Sequence, residues 1–171
     1  MRKLISLLTL LFAFANCTAA QDIDVISEGE IYPKKFSETL PNGDLQIEFV
    51  RESETFENWT KLVGFRFQQF PKLNNEPKRA ALALIRVTKL VNPAVQPTMM
   101  MNPEESEAIV HFLTWPTDGR KFMEFNVFRY AKSNDEKGIV SVQFAYRFQL
   151  DDTKLPELAK QIKETQMRLI K

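Results

Sequence analysis

From Gly138 to Leu150 the apolar residues Val140, Val142, Phe144, Tyr146, Phe148 and Leu150 recur at every second position, and Ser141, Gln143, Arg147 and Gln149 fall between them. Successive side chains of an extended chain point to opposite faces, so this period of two specifies a strand with one apolar row. A strand that long needs partners on either side and a layer over its apolar row. The chain is therefore read as sheet-based, and its other segments are read as what could pair with or cover this strand.

Two segments just upstream suit pairing. In Lys121–Ala131, Met123, Phe125 and Val127 share one side, and Phe122, Phe128 and Tyr130 share the other. Glu107–Trp115 is apolar on both sides, which suits a central position. The links Pro116–Arg120 and Ser133–Lys137 are of hairpin length and hold the turn formers Asp118-Gly119 and Asn134-Asp135. Three consecutive strands are thus expected as an antiparallel meander. Earlier, Leu45, Ile47 and Phe49 alternate with Gln46 and Glu48 after the turn Pro41-Asn42-Gly43-Asp44, and Val63, Phe65 and Phe67 repeat the pattern. An irregular stretch with a short edge strand near Ile31-Tyr32 precedes them.

Two segments change to helical spacing. Ala80, Leu84, Val87 and Val91 share one face, widened by Ala81, Leu82, Ile85 and Leu90, as in a helix pressed on a sheet. Asn74-Asn75-Glu76-Pro77 supplies capping and first-turn residues, and Asn92-Pro93 stops the helix. Leu155, Leu158, Ile162 and Leu169 mark a terminal helix, with N-cap oxygens in Asp151-Asp152-Thr153 and Pro156 in the first turn. The expected fold is α+β: an antiparallel sheet of about five to six strands in the order β-β-α-β-β-β-α, with two helices on it.

The N-terminus carries a different message. Met1-Arg2-Lys3 is basic, Leu4–Ala15 is apolar apart from Ser6 and Thr9, and Cys17-Thr18-Ala19-Ala20 is small. That is the order of a secretory signal peptide over residues 1–20, cut after Ala20, leaving residues 21–171 as one domain in the periplasm or outside the cell. The apolar run is shorter than the roughly 20 residues of a spanning helix, and no second run of that kind follows, so no transmembrane segment is read. Phe14 and Asn16 depart from the pattern that precedes a lipid-modified cysteine, so a lipid anchor at Cys17 is disfavoured. Cleavage after Ala20 leaves no cysteine, hence no disulfide and no thiolate chemistry. Loss of Arg2 and Lys3 leaves 21 basic against 22 acidic residues, which is not the footprint of a nucleic-acid binder.

The Tyr32-Pro33 approach, the segment Glu57-Asn58-Trp59-Thr60-Lys61-Leu62-Val63 and the final strand-helix pair together resemble the layout of the PsbP/Mog1-like α+β sandwich group. Asn-Trp-Thr before an apolar strand is also similar to a segment of uncharacterised exported bacterial proteins. The resemblance implies a non-catalytic accessory or partner-binding role and carries no catalytic set.

Few residues offer chemistry. His111 is the sole histidine and sits mid-strand between Val110 and Phe112, where a partly buried, hydrogen-bonded ring is expected. A metal site needs several convergent ligands. Pairing His111 with Ser106 or Ser141 lacks a Gly-x-Ser-x-Gly elbow and a placed third group. Ala94–Ser106 is read as a loop with room for a short strand at Met99-Met100-Met101; that run offers thioethers, but neighbours on an extended chain diverge, so contact with core or partner is favoured over copper. Glu104, Glu105 and Glu107 cluster in sequence without the defined separation of a glycosidase pair. Trp59, within a glycosylation sequon, is read as core, or else as an anchor for a partner. Phe122, Phe128 and Tyr130 form an exposed patch only if no helix covers them. No cofactor is expected. The leading expectation is a non-enzymatic envelope protein acting by protein contact, as an accessory or immunity-type factor. The alternatives are a carrier of an apolar ligand, and a hydrolase using His111 or the glutamate cluster.

Overall fold

A computed structural model describes residues 5–6, 24–27, 29–119, 121–151 and 154–170. Its elements are β1 (Ile5–Ser6), β2 (Val25–Ser27), β3 (Glu30–Tyr32), β4 (Lys34–Thr39), β5 (Leu45–Val50), β6 (Lys61–Gln68), α1 (Pro77–Val91), β7 (Thr98–Met101), β8 (Glu107–Thr114), β9 (Phe122–Lys132), β10 (Ile139–Gln149) and α2 (Leu155–Ile170). The fold class is α+β, as expected. Seven strands, rather than five to six, form the main sheet in the order β4-β5-β6-β10-β9-β8-β7. Every neighbouring pair in it is antiparallel. A smaller sheet pairs β2 with β3, and β1 runs parallel to β2.

The sheet is two meanders welded together. Strands β4 to β6 form one and β7 to β10 the other, and β10 closes the seam by pairing with β6 from Ile139↔Gln68 to Tyr146↔Lys61. On its other edge β10 pairs with β9 over its whole length, Ile139↔Lys132 to Gln149↔Phe122. The strand with the clearest alternation therefore holds the centre of the sheet. Its edges are β4, which was not expected, and the short strand of the Met run. Lys34–Thr39 is mostly exposed and charged, so it lacks the apolar row that marks a strand in sequence. The Met run forms the other edge.

Both faces are covered. On one, α1 sets Ala80 and Ala81 on Ala108, Val110, Phe112, Phe128 and Tyr130. At the far end of this face Trp59 packs with Val50, Leu62 and Ala145. On the other face, Val25 and Tyr32 from the small sheet pack on Phe49, Val63 and Phe65. α2 contacts β9 and buries Leu158 and Thr165, with Ile162 half-buried. Phe125, Val127 and His111, which share the face opposite α1, are buried as well. The expected caps Asp152 and Thr153, and the side chains of Leu155 and Leu169, lie outside the described residues.

Two features of α1 differ from expectation. Asn75 does not cap it: its side-chain oxygen accepts the Phe70 N–H at 2.7 Å and its amide donates to the Lys137 carbonyl at 3.0 Å. Glu76 holds the N-cap position without a side-chain cap, its carboxylate pairing with Arg79 at 2.7 Å, and Pro77 begins the helix. The apolar arc is also wider than the sheet can cover, because the C-terminal turns carry Val87, Leu90 and Val91 into solvent.

Candidate functional site

The central strands supply a polar row on the α1 side of the sheet. Asn126 on β9, Gln143 on β10, Arg66 on β6 and Glu48 on β5 lie on this face, in the part between α1 and the Trp59 cluster. Gln143 donates to Asn126 at 2.9 Å, Arg66 donates to Gln143 at 2.8 Å and to Glu48 at 3.1 Å, and Gln46 donates to Glu48 at 2.7 Å. Burial destabilises the Arg66 cation and lowers its pKa, and Glu48 opposes that shift. Gly64 leaves the room this chain needs, since a Cβ there would lie 3.0 Å from Arg66 Nη1. The groups satisfy one another, so the row ties four strands together without presenting a reactive atom.

A second cluster joins the small sheet to the main one. Glu30 accepts from Arg51 at 2.8 Å, from Tyr32 at 2.9 Å and from Lys61 at 3.1 Å. The Arg51 guanidinium first, then the Tyr32 hydroxyl and Lys61, hold its carboxyl down at about 2. A third cluster is built on Arg147, whose guanidinium lies 4.1 Å from the Trp59 ring centre and 4.4 Å from that of Phe122. Glu124 pairs with it at 2.9 Å.

The residues singled out in the sequence scatter across this framework. Trp59, His111, Phe128 and Tyr130 are buried, and Phe122 and Met99 to Met101 are half-buried. The condition for an exposed Phe128–Tyr130 patch is therefore not met, because α1 covers it. His111 leans on Phe125 with ring centres 6.0 Å apart, and burial lowers its pKa, so the ring is neutral at neutral pH. Among the described residues no hydrogen bond reaches that ring, which corrects the expected bonded histidine. The glutamates diverge in their partners: Glu107 pairs with Arg129 at 2.6 Å, Glu105 with Lys78 at 3.4 Å, and Glu104 accepts from Asn102 at 3.0 Å. Ser141 is buried on β10 on the face opposite His111, so that pairing does not form. Among the described residues, no group of three His, Cys, Asp or Glu side chains is placed to hold a metal ion, and no helix is long and apolar enough to cross a membrane.

Among the exposed apolar side chains of the described residues, a group gathers at the end of α1. Val87 is 57% exposed, Leu90 81% and Val91 73%, and Trp115 stands nearby at 36%, its carbonyl accepting from Asn92 at 3.3 Å. Arg86 and Lys89 lie on the same helix end, and both are exposed. Sequence reasoning found these apolar residues but assigned them to the core. Their exposure depends on how far α1 extends along the sheet, which helical spacing does not encode.

A family model matches residues 25–171. The chain belongs to that uncharacterised family. No curated protein and no solved structure matches it. The matched region begins just past the expected leader and takes in every element from β2 to α2.

Proposed function

We propose that this chain is an exported, non-enzymatic protein of the bacterial envelope that acts by contact with another protein, through the exposed end of α1. The observation that carries the reading is the solvent-facing group Val87, Leu90 and Val91 beside Trp115. Contiguous exposed apolar side chains of this kind mark interaction surfaces. Aromatic and aliphatic anchors with basic neighbours suit the centre and rim of a protein interface. The leader-like N-terminus supports export, since the family match starts at residue 25, after the expected cut. The layout resemblance to the PsbP/Mog1-like group implies the same accessory kind of role. The carrier alternative loses support from packing, because Ala80 and Ala81 fill the space between α1 and the aromatic residues of the sheet.

The test is affinity capture from an envelope extract with wild-type protein and with a Leu90→Glu, Val91→Glu double variant. Capture of one stoichiometric protein by the wild type, lost in the double variant at unchanged melting temperature, supports the reading. Equal capture by both proteins overturns it.

A further inference from the structure

Charge is distributed unevenly along α1. From Pro77 to Pro103 the chain carries Lys78, Arg79, Arg86 and Lys89 and no Asp or Glu. At the start of the helix the cations are matched, since Lys78 pairs with Glu105 at 3.4 Å and Arg79 with Glu76 at 2.7 Å. At its end they are not. Arg86 and Lys89 are exposed, and among the described residues neither has an ion pair or a hydrogen-bonded partner. They stand three residues apart, so they are neighbours on the helix surface and repel one another. The helix dipole accounts for Lys89 in the last turn, but not for Arg86 a turn earlier. Arg86 also neighbours Leu90, four residues on, so the basic pair borders the exposed group Val87, Leu90 and Val91. The segment that follows, Asn92–Thr98, adds no charge.

Resting on the reading of this helix end as the contact surface, we infer that its partner is a protein with an apolar patch rimmed by carboxylates, which engage Arg86 and Lys89 as Val87, Leu90 and Val91 become buried. Charge complementarity carries the inference. The chain as a whole is almost neutral, with 23 basic against 22 acidic residues, so the unmatched pair is a local feature and not part of a general positive field. A carboxylate rim relieves the repulsion between the two cations. It also orients the partner, because the basic pair lies on one side of the apolar group. Rim charges act on association rate and partner choice, while the buried apolar anchors hold the complex together. An anionic bilayer attracts cations as well, but electrostatic membrane binding uses clusters of about four to eight basic residues. The end of α1 offers Arg86 and Lys89 alone.

Carbodiimide cross-linking of the purified full chain in envelope extract tests this, because the reagent joins a lysine amine to a carboxylate only where the two touch. Linked peptides are sequenced by mass spectrometry. The expected result is Lys89 joined to an Asp or Glu of the captured protein, a link absent in Lys89→Arg, which keeps the charge but has no amine to couple. Capture should also fall roughly tenfold from about 50 mM to about 500 mM sodium chloride, as salt screens the rim. An Arg86→Gln, Lys89→Gln double variant should lose capture to a similar degree at unchanged melting temperature. Capture that is lost in Leu90→Glu, Val91→Glu but insensitive to salt and to the glutamine pair overturns this inference and leaves the contact surface standing. Equal capture by the wild type and Leu90→Glu, Val91→Glu overturns that reading, and this inference with it. Binding to phosphatidylglycerol vesicles that is lost in the glutamine pair, with no protein captured, overturns it in favour of a lipid surface.

Discussion

At the scale of single residues, three positions show how far local chemistry was legible. Gly138 opens the alternating Gly138–Leu150 pattern in sequence, yet its constraint comes from a neighbouring strand. A Cβ there would meet the Phe67 ring at 2.6 Å and the Gln68 carbonyl at 2.8 Å. Gly138→Ala is expected to cost about 1–3 kcal/mol, as overpacking does, read by urea denaturation. Arg147 looks like a solvent-facing strand residue by alternation, yet its side chain is only 10% exposed, between two rings and beside Glu124. Arg147→Ala should destabilise by about 3 kcal/mol, since it leaves Glu124 unpaired and two aromatic faces uncovered. Glu30 gives a pH dependence. Its carboxyl sits at about 2 in the folded state against 4.5 for an ordinary glutamate. The depressed value stabilises the fold above about pH 4.5, and that contribution is lost as pH falls toward 2. The carboxylate is 41% exposed and screened by water, so the loss is on the order of 1 kcal/mol. Glu30→Gln should flatten the stability profile between pH 4.5 and 2 in acid titrations followed by tryptophan fluorescence.

At the scale of elements, the strands with two-residue periodicity were legible, the Met run was legible only as a short strand within a loop, and β4 was not legible. β10, β9, β5 and β6 each carry an apolar row, because each has a covered face. β4 is exposed along most of its length and β7 is four residues long, so burial imposed no pattern on either. α1 was found with its start and stop, but the depth of its contact was not. Helical spacing reports that a side chain is apolar, whereas its burial is set by how far the partner surface extends. The same limit hid the role of Asn75, whose bonds to Phe70 and Lys137 span up to 62 residues of sequence. Asn75→Ala should cost about 1–2 kcal/mol, through two lost hydrogen bonds and a left-handed backbone at φ 47° that asparagine tolerates better than alanine. Thermal unfolding measures this, and an unchanged midpoint would mean that the link between the α1 approach and the β9–β10 turn is dispensable.

At the scale of the whole molecule, the sequence order hides a long-range closure. Consecutive strands pair as hairpins, and the meander β8–β9–β10 follows directly from turn spacing. The pairing of β10 with β6 does not, because α1 and three strands intervene in the chain. It is also what makes one sheet of two halves, with aromatic cores under α1 on one side and under the small sheet on the other. The exposed end of α1 belongs to the second meander, where the helix contacts β8 and β9. Cross-strand nuclear Overhauser effects from Phe144 are the most direct test of the seam. Phe144 should give contacts to Val63 on β6 as well as to Val127 on β9, its register partners on either side. Contacts to Val127 without any to Val63 would mean that the two meanders are not joined there, and would contradict the closure that makes one sheet of them.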